Sequence, residues 1–113
     1  MRKKKEPEKI STFFGAGTSI EGTIEFSNTI RLDGNVKGKI RGNKGTVIIG
    51  EKAVVNADII VDVAIIMGEV NGTIHAKEKI EVYPPGRVVG DIQAPVVLIE
   101  SGVIFNGNCS MKA

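Results

Sequence analysis

The sequence predicts an all-β fold, a single-domain right-handed parallel β-helix of about six coils. Its 113 residues include 16 Ile and 13 Val but only two Leu. The β-branched Ile and Val fit pleated strands, whereas Leu suits helices and is normally among the commonest residues. Fourteen glycines indicate many backbone corners, and only five aromatic residues are available to fill a core. These counts argue against a helical bundle and against a sandwich core built on large rings.

A repeat of about 17 residues indicates that the strands form a coil. The motif reads aliphatic-x-Gly/Ala-x-aliphatic, and its successive first positions are separated by 16, 19, 15, 18 and 17 residues. In a β-helix, equivalent side chains of successive coils stack in columns inside the tube. The first predicted column contains Ile20, Val36, Val55, Val70, Val88 and Phe105, and the second contains Ile24, Ile40, Ile59, Ile74, Ile92 and Cys109.

Alternating segments between the copies of the motif predict the remaining strands of each coil. Examples are Ile30-x-Leu32 and Val97-x-Ile99, and a glycine suited to a corner follows each of them. Each coil should hold two or three strands of four or five residues separated by tight corners. A left-handed hexapeptide coil, the form used by many acyltransferases, needs a steady circuit of about 18 residues. Because the circuits vary from 15 to 19 residues, the right-handed form is favoured.

The extent of the repeat predicts three segments: a flexible basic tail over residues 1–12, the β-helix domain over 13–110 and a short C-terminal end over 111–113. The first nine residues carry a net charge of +3, so the other 104 carry −1. The apolar residues after the basic cluster either cover the first coil or enter a lipid interface while the basic residues approach anionic headgroups. The membrane tail would then comprise Arg2, Lys3, Lys4, Lys5, Ile10, Phe13 and Phe14.

The nearly neutral body argues against nucleic-acid binding, which needs a basic patch with stacking aromatics. His75 is the only histidine and should point outward, and Cys109 should be a small buried hydrophobe of its column. We therefore expect no catalytic, cofactor-binding or metal-binding residues. The single cysteine and the absence of a signal peptide or an apolar span of about 18 residues indicate a cytoplasmic protein, peripheral at the inner membrane at most.

The last coil carries a large ring where every earlier coil has Ile or Val. Only four residues follow the last column position, too few for a capping helix, although soluble solenoids normally cap their exposed ends. Phe105 is thus either a plug that closes the tube or the anchor of an end-to-end contact with another copy, and we favour the contact. The predicted polymerisation interface comprises Phe105, Ile104, Val103, Ile20 and Phe14.

These features together resemble the bactofilins, a family of bacterial polymer-forming cytoskeletal proteins. The resemblance covers roughly residues 13–110 and is carried by a compact coil body behind a short basic tail. The glycine-punctuated segments that carry it are Gly15-Ala-Gly-Thr-Ser-Ile-Glu-Gly22, Leu32-Asp-Gly-Asn-Val-Lys-Gly38 and Ile66-Met-Gly-Glu-Val-Asn-Gly72.

The resemblance implies a right-handed β-helix that polymerises end to end, without nucleotide, into nonpolar filaments. It also implies membrane attachment through a short N-terminal segment and a scaffold role for cell-shape, cell-wall or polarity proteins. The absence of a GxxxxGK[ST] phosphate loop agrees with nucleotide-independent assembly. The expected partners are the chain itself and anionic inner-membrane lipid. Two alternatives stay open, a trimeric hexapeptide-type acyltransferase using His75 and a membrane adaptor that does not polymerise.

Overall fold

The computed structural model describes residues 12–111, which form parallel β-strands and no helix. The strands wind into a solenoid of about six coils, in which each coil pairs with the coil before it and the coil after it. In chain order the strands are β1 (Thr12–Phe14), β2 (Ser19–Leu32), β3 (Asn35–Ile49), β4 (Val54–Ile66), β5 (Glu69–Val82), β6 (Arg87–Gln93), β7 (Val96–Ile99) and β8 (Ile104–Ser110). Of the predicted basic tail, only Thr12 lies among the described residues, and it begins β1.

The predicted columns are confirmed by the strand register. Ile20 pairs with Val36, and this column continues through every coil to Phe105. The second column runs in the same way from Ile24 to Cys109. The middle coils bury these side chains almost completely, as at Val55 and Ile59, which are 0% exposed. The pairing reproduces the uneven circuits of 15 to 19 residues, which a strict hexapeptide coil does not produce.

Two further columns fill the other side of the interior. One begins at Phe14 of β1 and passes through Leu32, and the other begins at Thr12 and passes through Ile30. Most of their members in the middle coils are fully buried, so the core is built almost entirely of Ile, Val, Leu and Ala. At about 25 cal/mol per Å² of apolar surface removed from water, this stacking is the main stabilising contribution to the fold.

The strands are longer than expected, because the chain bends around the corners without losing its pairing. β2 to β5 contain 13 to 15 residues each, rather than the four or five predicted. Left-handed backbone at Asn28 and Lys44 and shifts of register near the same corners allow these bends. Only the fifth coil is divided, between β6 and β7, where Pro95 lacks the amide hydrogen needed for the ladder.

The glycines of the repeated motif are required by a close approach between coils. Gly38, Gly72 and Gly90 have φ between +134° and +144°. A Cβ atom at each of them would overlap the carbonyl oxygen of the equivalent residue in the preceding coil, and the oxygen above Gly90 belongs to Gly72. Gly22 in the first coil also has a positive φ, but nothing lies within 4 Å of its Cβ position. The strand ladder thus brings consecutive coils so close that the positive-φ positions of Gly38, Gly72 and Gly90 cannot carry a Cβ atom.

Alanine at these glycines should separate backbone strain from steric overlap. Gly22→Ala introduces only an unfavourable φ and should cost about 1–3 kcal/mol of unfolding free energy. Gly90→Ala adds an overlap with the Gly72 carbonyl, which is held in the strand ladder. It should therefore lower the free energy of unfolding clearly more than Gly22→Ala does. Urea unfolding followed by circular dichroism measures both variants. Equal losses in the two variants would contradict the role assigned to close stacking.

Candidate assembly interface

The solenoid has two open ends in the described part of the chain. At the N-terminal end, β1 covers only residues 30–32 of β2, so the outer edge of residues 19–26 has no neighbouring strand. At the C-terminal end, β7 pairs only with β5 and β8 only with β6, which leaves an outer edge on each. An unpaired edge presents rows of amide hydrogens and carbonyl oxygens that can pair with another chain. Within residues 12–111, both ends of the solenoid therefore present backbone edges of the kind that pair with another strand.

Apolar side chains accompany the open edge at the C-terminal end. Val103 and Phe105 are partly buried and pack against the core, whereas Ile104 is 54% exposed. Val97 packs against the core beside them, and Ile99 is 41% exposed at the end of its column. Val97, Ile99, Val103 and Phe105 would be buried if a further coil were present, whereas Ile104 is in register with exposed Arg87 and faces outward. The last coil thus has the composition of a core layer with one side uncovered.

The N-terminal end has the same character. Phe14 packs against the core in the column of Leu32, and Ile20 is half-buried at the start of the first column. Ile24 and Phe26 also pack against the core from the first coil. The structure therefore divides the predicted interface into two groups at opposite ends of the solenoid. Val103, Ile104 and Phe105 lie at the C-terminal end, and Phe14 and Ile20 lie at the N-terminal end.

Several residues outside the predicted interface also lie at these ends. Ile24 is the first residue of the second column, and Val97 is the last residue of the column that begins at Thr12. Their positions in the columns could therefore have identified them. Phe26 could not be found in this way, because its ring lies over Gly42 and Gly45 of the next coil. No regular spacing in the sequence links these two glycines to that ring.

The expected burial of Cys109 is wrong, because the side chain is exposed. Cys109 does occupy the second column, in register with Ile92. Burial in a column requires a coil on both sides, however, and in the described chain no strand follows β8. The cysteine is therefore an accessible thiol on the same terminal coil as Phe105, four residues further along β8.

The predicted membrane residues are separated by the structure. Arg2, Lys3, Lys4, Lys5 and Ile10 lie outside the described residues. Phe13 is 57% exposed on the side of the solenoid, whereas the adjacent Phe14 packs against the core. Successive side chains of a strand point to opposite faces, which explains the difference. Among residues 12–111, no helix is long and apolar enough to cross a bilayer.

One lateral side of the solenoid carries a ladder of polar side chains. Asn71 Nδ2 donates to Asn56 Oδ1 at 3.1 Å, and Thr73 Oγ1 donates to Asp58 Oδ1 at 2.9 Å. His75 lies exposed on the same side. Within the described chain, no group of three or more His, Cys, Asp or Glu is placed to hold a metal ion.

A second cluster of charges lies on another side, where Lys79, Glu81 and Tyr83 alternate along β5 and the corner after it. The Tyr83 hydroxyl donates a 2.7 Å hydrogen bond to Glu81 Oε1, and Lys79 Nζ lies 3.0 Å from Glu81 Oε2. The bond from Tyr83 is the main reason that the pKa of Glu81 lies below its ordinary value, with Lys79 adding to the effect and burial opposing it. The same bond raises the pKa of Tyr83, because ionised tyrosine could not donate it.

Comparisons with known proteins agree with this architecture. The family model described as bactofilin, polymer-forming cytoskeletal, matches residues 12–110. The chain belongs to the bactofilin family. Bactofilin BacO of Myxococcus xanthus (strain DK1622) is 40% identical over 101 residues, which cover 89% of this chain and 79% of BacO. Bactofilin BacP of the same organism is 36% identical over 101 residues, covering 89% of this chain but only 42% of BacP.

Two solved bactofilin structures have the same fold. The cryo-EM reconstruction of Thermus thermophilus bactofilin double helical filaments matches with a TM-score of 0.82 and 26% identity, over 87% of this chain and 96% of that one. The solid-state NMR structure of the cytoskeletal bactofilin BacA matches with a TM-score of 0.80 and 29% identity, over 89% of this chain and 95% of that one. The predicted family and the predicted all-β parallel solenoid are confirmed.

Removal of the Tyr83 hydroxyl should change how stability depends on pH. Because the pKa of Glu81 is lower in the folded than in the unfolded chain, its interactions stabilise the fold above the unfolded pKa and are lost as pH falls through the folded one. Tyr83→Phe should therefore lower the urea midpoint at pH 7 and have a smaller effect near pH 3. In a Glu81→Gln background, the same substitution should show no such pH dependence. An equal effect of Tyr83→Phe at both pH values in the native background would contradict this assignment.

Proposed function

We propose that this protein assembles end to end, without nucleotide, into nonpolar filaments that act as a membrane-associated scaffold and have no catalytic activity. The observation that supports the proposal most directly is the pair of open ends, each with an unpaired strand edge and uncovered core residues. Membership of a polymer-forming cytoskeletal family and the filament of the Thermus relative support it further. Contact between two ends would continue both the hydrogen-bond ladder and the apolar columns across the junction.

A nonpolar filament requires that each end meet the same end of another copy. Such a contact is isologous, so one set of residues on each end is sufficient for assembly. Two isologous contacts at opposite ends of an elongated molecule do not close, and they generate a linear polymer. Phe105 would lie at one junction, and Phe14 and Ile20 at the other. Electron microscopy of the purified protein should show thin unbranched filaments without added nucleotide, whereas a monodisperse monomer at all concentrations would overturn the proposal.

Phe105→Arg should abolish filaments while leaving the coil folded. The substitution places a charge in an apolar junction, and an unpaired buried charge costs about 3–5 kcal/mol. Such a loss weakens each contact by about a hundredfold to a few thousandfold. Phe105→Val, which restores the residue type of the earlier coils, serves as the conservative control for the fold. Electron microscopy and circular dichroism measure assembly and folding separately, and filaments that persist in Phe105→Arg would make Phe105 a plug.

The polarity of the filament can be tested with the native Cys109. In a junction between two C-terminal ends, the two Cys109 thiols both lie in the contact layer, each four residues along β8 from Phe105. A series of bis-maleimides of increasing length should then yield crosslinked dimers from assembled protein but not from Phe105→Arg. Cys109→Ser is the control for specificity. Filaments that form no such dimers would favour a head-to-tail junction.

Membrane association is proposed to depend on the N-terminal segment, which carries the net charge of +3. Each basic residue near an anionic surface contributes about 1 kcal/mol. Full-length protein should therefore co-pellet with anionic liposomes more strongly than a chain beginning at Ser11, and the difference should decrease with salt. Neutral liposomes provide the control. Equal pelleting of the two chains would remove the segment from the mechanism.

A further inference from the structure

The sequence contains two Asn-Gly pairs, and both occupy the same position of the repeated motif. Asn71-Gly72 lies in β5, in the middle of the solenoid, and Asn106-Gly107 lies in β8, on its terminal coil. The register places both asparagines in one outward column, with Val89 between them. The two pairs therefore have the same place in a coil, but only one of them has a coil on either side.

An asparagine that precedes a glycine can lose its side-chain amide without a catalyst. The backbone nitrogen of the glycine attacks the side-chain carbonyl carbon of the asparagine, a C–N bond forms, and ammonia leaves, so that a cyclic succinimide remains. Water then opens the ring at either carbonyl and yields aspartate or isoaspartate. Glycine favours the attack because it has no side chain to hinder it. In a folded protein, the rate depends on whether the glycine amide is free and whether the chain can bend.

The backbone amide of Gly107 points away from the rest of the solenoid. Along a strand, the N–H and C=O groups of successive residues point alternately to the two neighbouring strands. At one end of β8, Ile104 N donates to the carbonyl of residue 86 in the preceding coil at 3.1 Å, and at the other end Ser110 O accepts from Ala94 N at 3.0 Å. Even-numbered residues of β8 therefore face β6, and odd-numbered Gly107 faces the outer edge. Within residues 12–111, no strand pairs with that edge.

The matched amide of Gly72 is directed at a neighbouring strand instead. Glu69 N donates to Ala53 O at 3.0 Å, so odd-numbered residues of β5 face the preceding coil and Gly72 faces β6. β6 pairs with this part of β5 without a shift of register. The Asn71 side chain is also fixed, because its Nδ2 donates to Asn56 Oδ1 at 3.1 Å and to Glu69 Oε2 at 3.0 Å. Both reacting groups of this pair are thus held in place.

The Asn106 side chain has no comparable support. It is exposed, and its neighbour in the preceding coil is Val89, whose side chain neither donates nor accepts hydrogen bonds. Asn108, on the same strand, does bond to the preceding coil, through Asp91 Oδ1 at 3.2 Å. For the reaction, the chain must leave its extended form so that the Gly107 nitrogen reaches the Asn106 side chain. A strand paired on one side only opens at a lower free energy than a strand paired on both.

We propose that Asn106 is a site of spontaneous deamidation that limits the lifetime of the open C-terminal end, and that assembly protects it. The site follows from the described chain alone, whereas the protection rests on the proposed end-to-end assembly. A junction that covers the C-terminal end supplies β8 with a second partner strand and holds the Gly107 amide as β6 holds that of Gly72. Unassembled protein therefore loses this asparagine, and protein inside a filament keeps it.

The product of the reaction is poorly suited to a junction. Aspartate at position 106 places a carboxylate on the terminal coil, and isoaspartate also lengthens the main chain by one carbon atom, which shifts the rest of β8 against β6. In an isologous contact both copies bring the same charge to the junction, so that the two charges repel each other. Deamidation of Asn106 thus removes C-terminal ends from the pool that can assemble.

Peptide mass spectrometry measures the reaction at both asparagines of one chain. Phe105→Arg, the variant expected to stay unassembled, is incubated in the folded state and, separately, unfolded in guanidinium chloride. The unfolded sample gives the rate that each local sequence sustains without structure. Folding should slow the loss of Asn71 at least about tenfold more than the loss of Asn106. Equal slowing at the two sites would overturn the proposed site.

Isolated filaments of the native chain test the protection. Filaments are pelleted, resuspended and incubated beside folded Phe105→Arg protein in the same buffer. Asn106 should convert at least about tenfold more slowly in the filaments, while Asn71 should be equally intact in both samples. Equal conversion of Asn106 in the two samples would overturn the protection and leave filament assembly intact. Absence of filaments would remove the proposed function, and the comparison of folded with unfolded protein would still decide the site.

The effect of the product on assembly is measured with substitutions. Asn106→Asp should raise the protein concentration at which filaments appear roughly two- to fivefold at low salt and by less at high salt. Asn106→Gln keeps an amide that cyclises far more slowly and should assemble like the native chain. Asn71→Asp is the matched control at the same motif position away from the ends and should assemble normally, with circular dichroism as the check on folding. A folded Asn106→Asp protein that assembles like the native chain at low salt would contradict the proposed loss of assembly.

Discussion

The whole structure depends on the stacking of one coil directly on the next in register. Each coil contributes the same few β-branched side chains to columns in the interior, and each column position is buried only because a neighbouring coil lies on either side of it. The distance between coils is set by the strand ladder, and it leaves no space for a Cβ atom at Gly38, Gly72 or Gly90. The glycines and the aliphatic columns therefore have the same cause, which is the close parallel packing of consecutive coils.

The same constraint explains why the two ends of the molecule differ from its middle. A coil at either end has column residues and a backbone edge but a neighbouring coil on one side only. Its apolar side chains are therefore only partly buried, and its outer amide and carbonyl groups have no strand to pair with. Phe105 and Cys109 occupy the same columns as buried Val88 and Ile92, yet they are half-buried and exposed. An end-to-end contact removes this difference, because it supplies the missing coil from another copy. Assembly would thus use the same interactions as folding, namely the strand ladder and the apolar columns.

The outward side chains of the solenoid are not constrained by the core columns, because alternation along a strand places every second residue outside. Where those residues are polar, they bond to each other across coils, as Thr73 does with Asp58. Where they are apolar, as at Ile48 and Ile65, no such bonds form and the side chains are half-buried. A short repeat that specifies the interior thus leaves the outer positions free to differ in polarity from one side of the solenoid to another.

Much of the fold was predictable from the sequence because the columns are periodic and local. The spacing of the repeat identified both columns of the motif, including the terminal positions Ile20 and Phe105, and the imbalance between Ile plus Val and Leu identified strands. The length of the strands was not predictable, since bends at Asn28 and Lys44 preserve a pairing that corners usually interrupt. Sequence periodicity therefore overstated the number of separate strands.

The interior of this protein can be read from the sequence, because a column needs only one kind of residue recurring at the right spacing. Which residues lie at the exposed ends and sides follows only from the folded chain. Phe13 and Phe14 are adjacent in the chain, yet one lies outside and the other packs against the core. Cys109 follows the column pattern and is nevertheless exposed. The exposure of a side chain depends on whether a neighbouring coil is present and on which face of the strand the side chain occupies. The type of a single residue specifies neither.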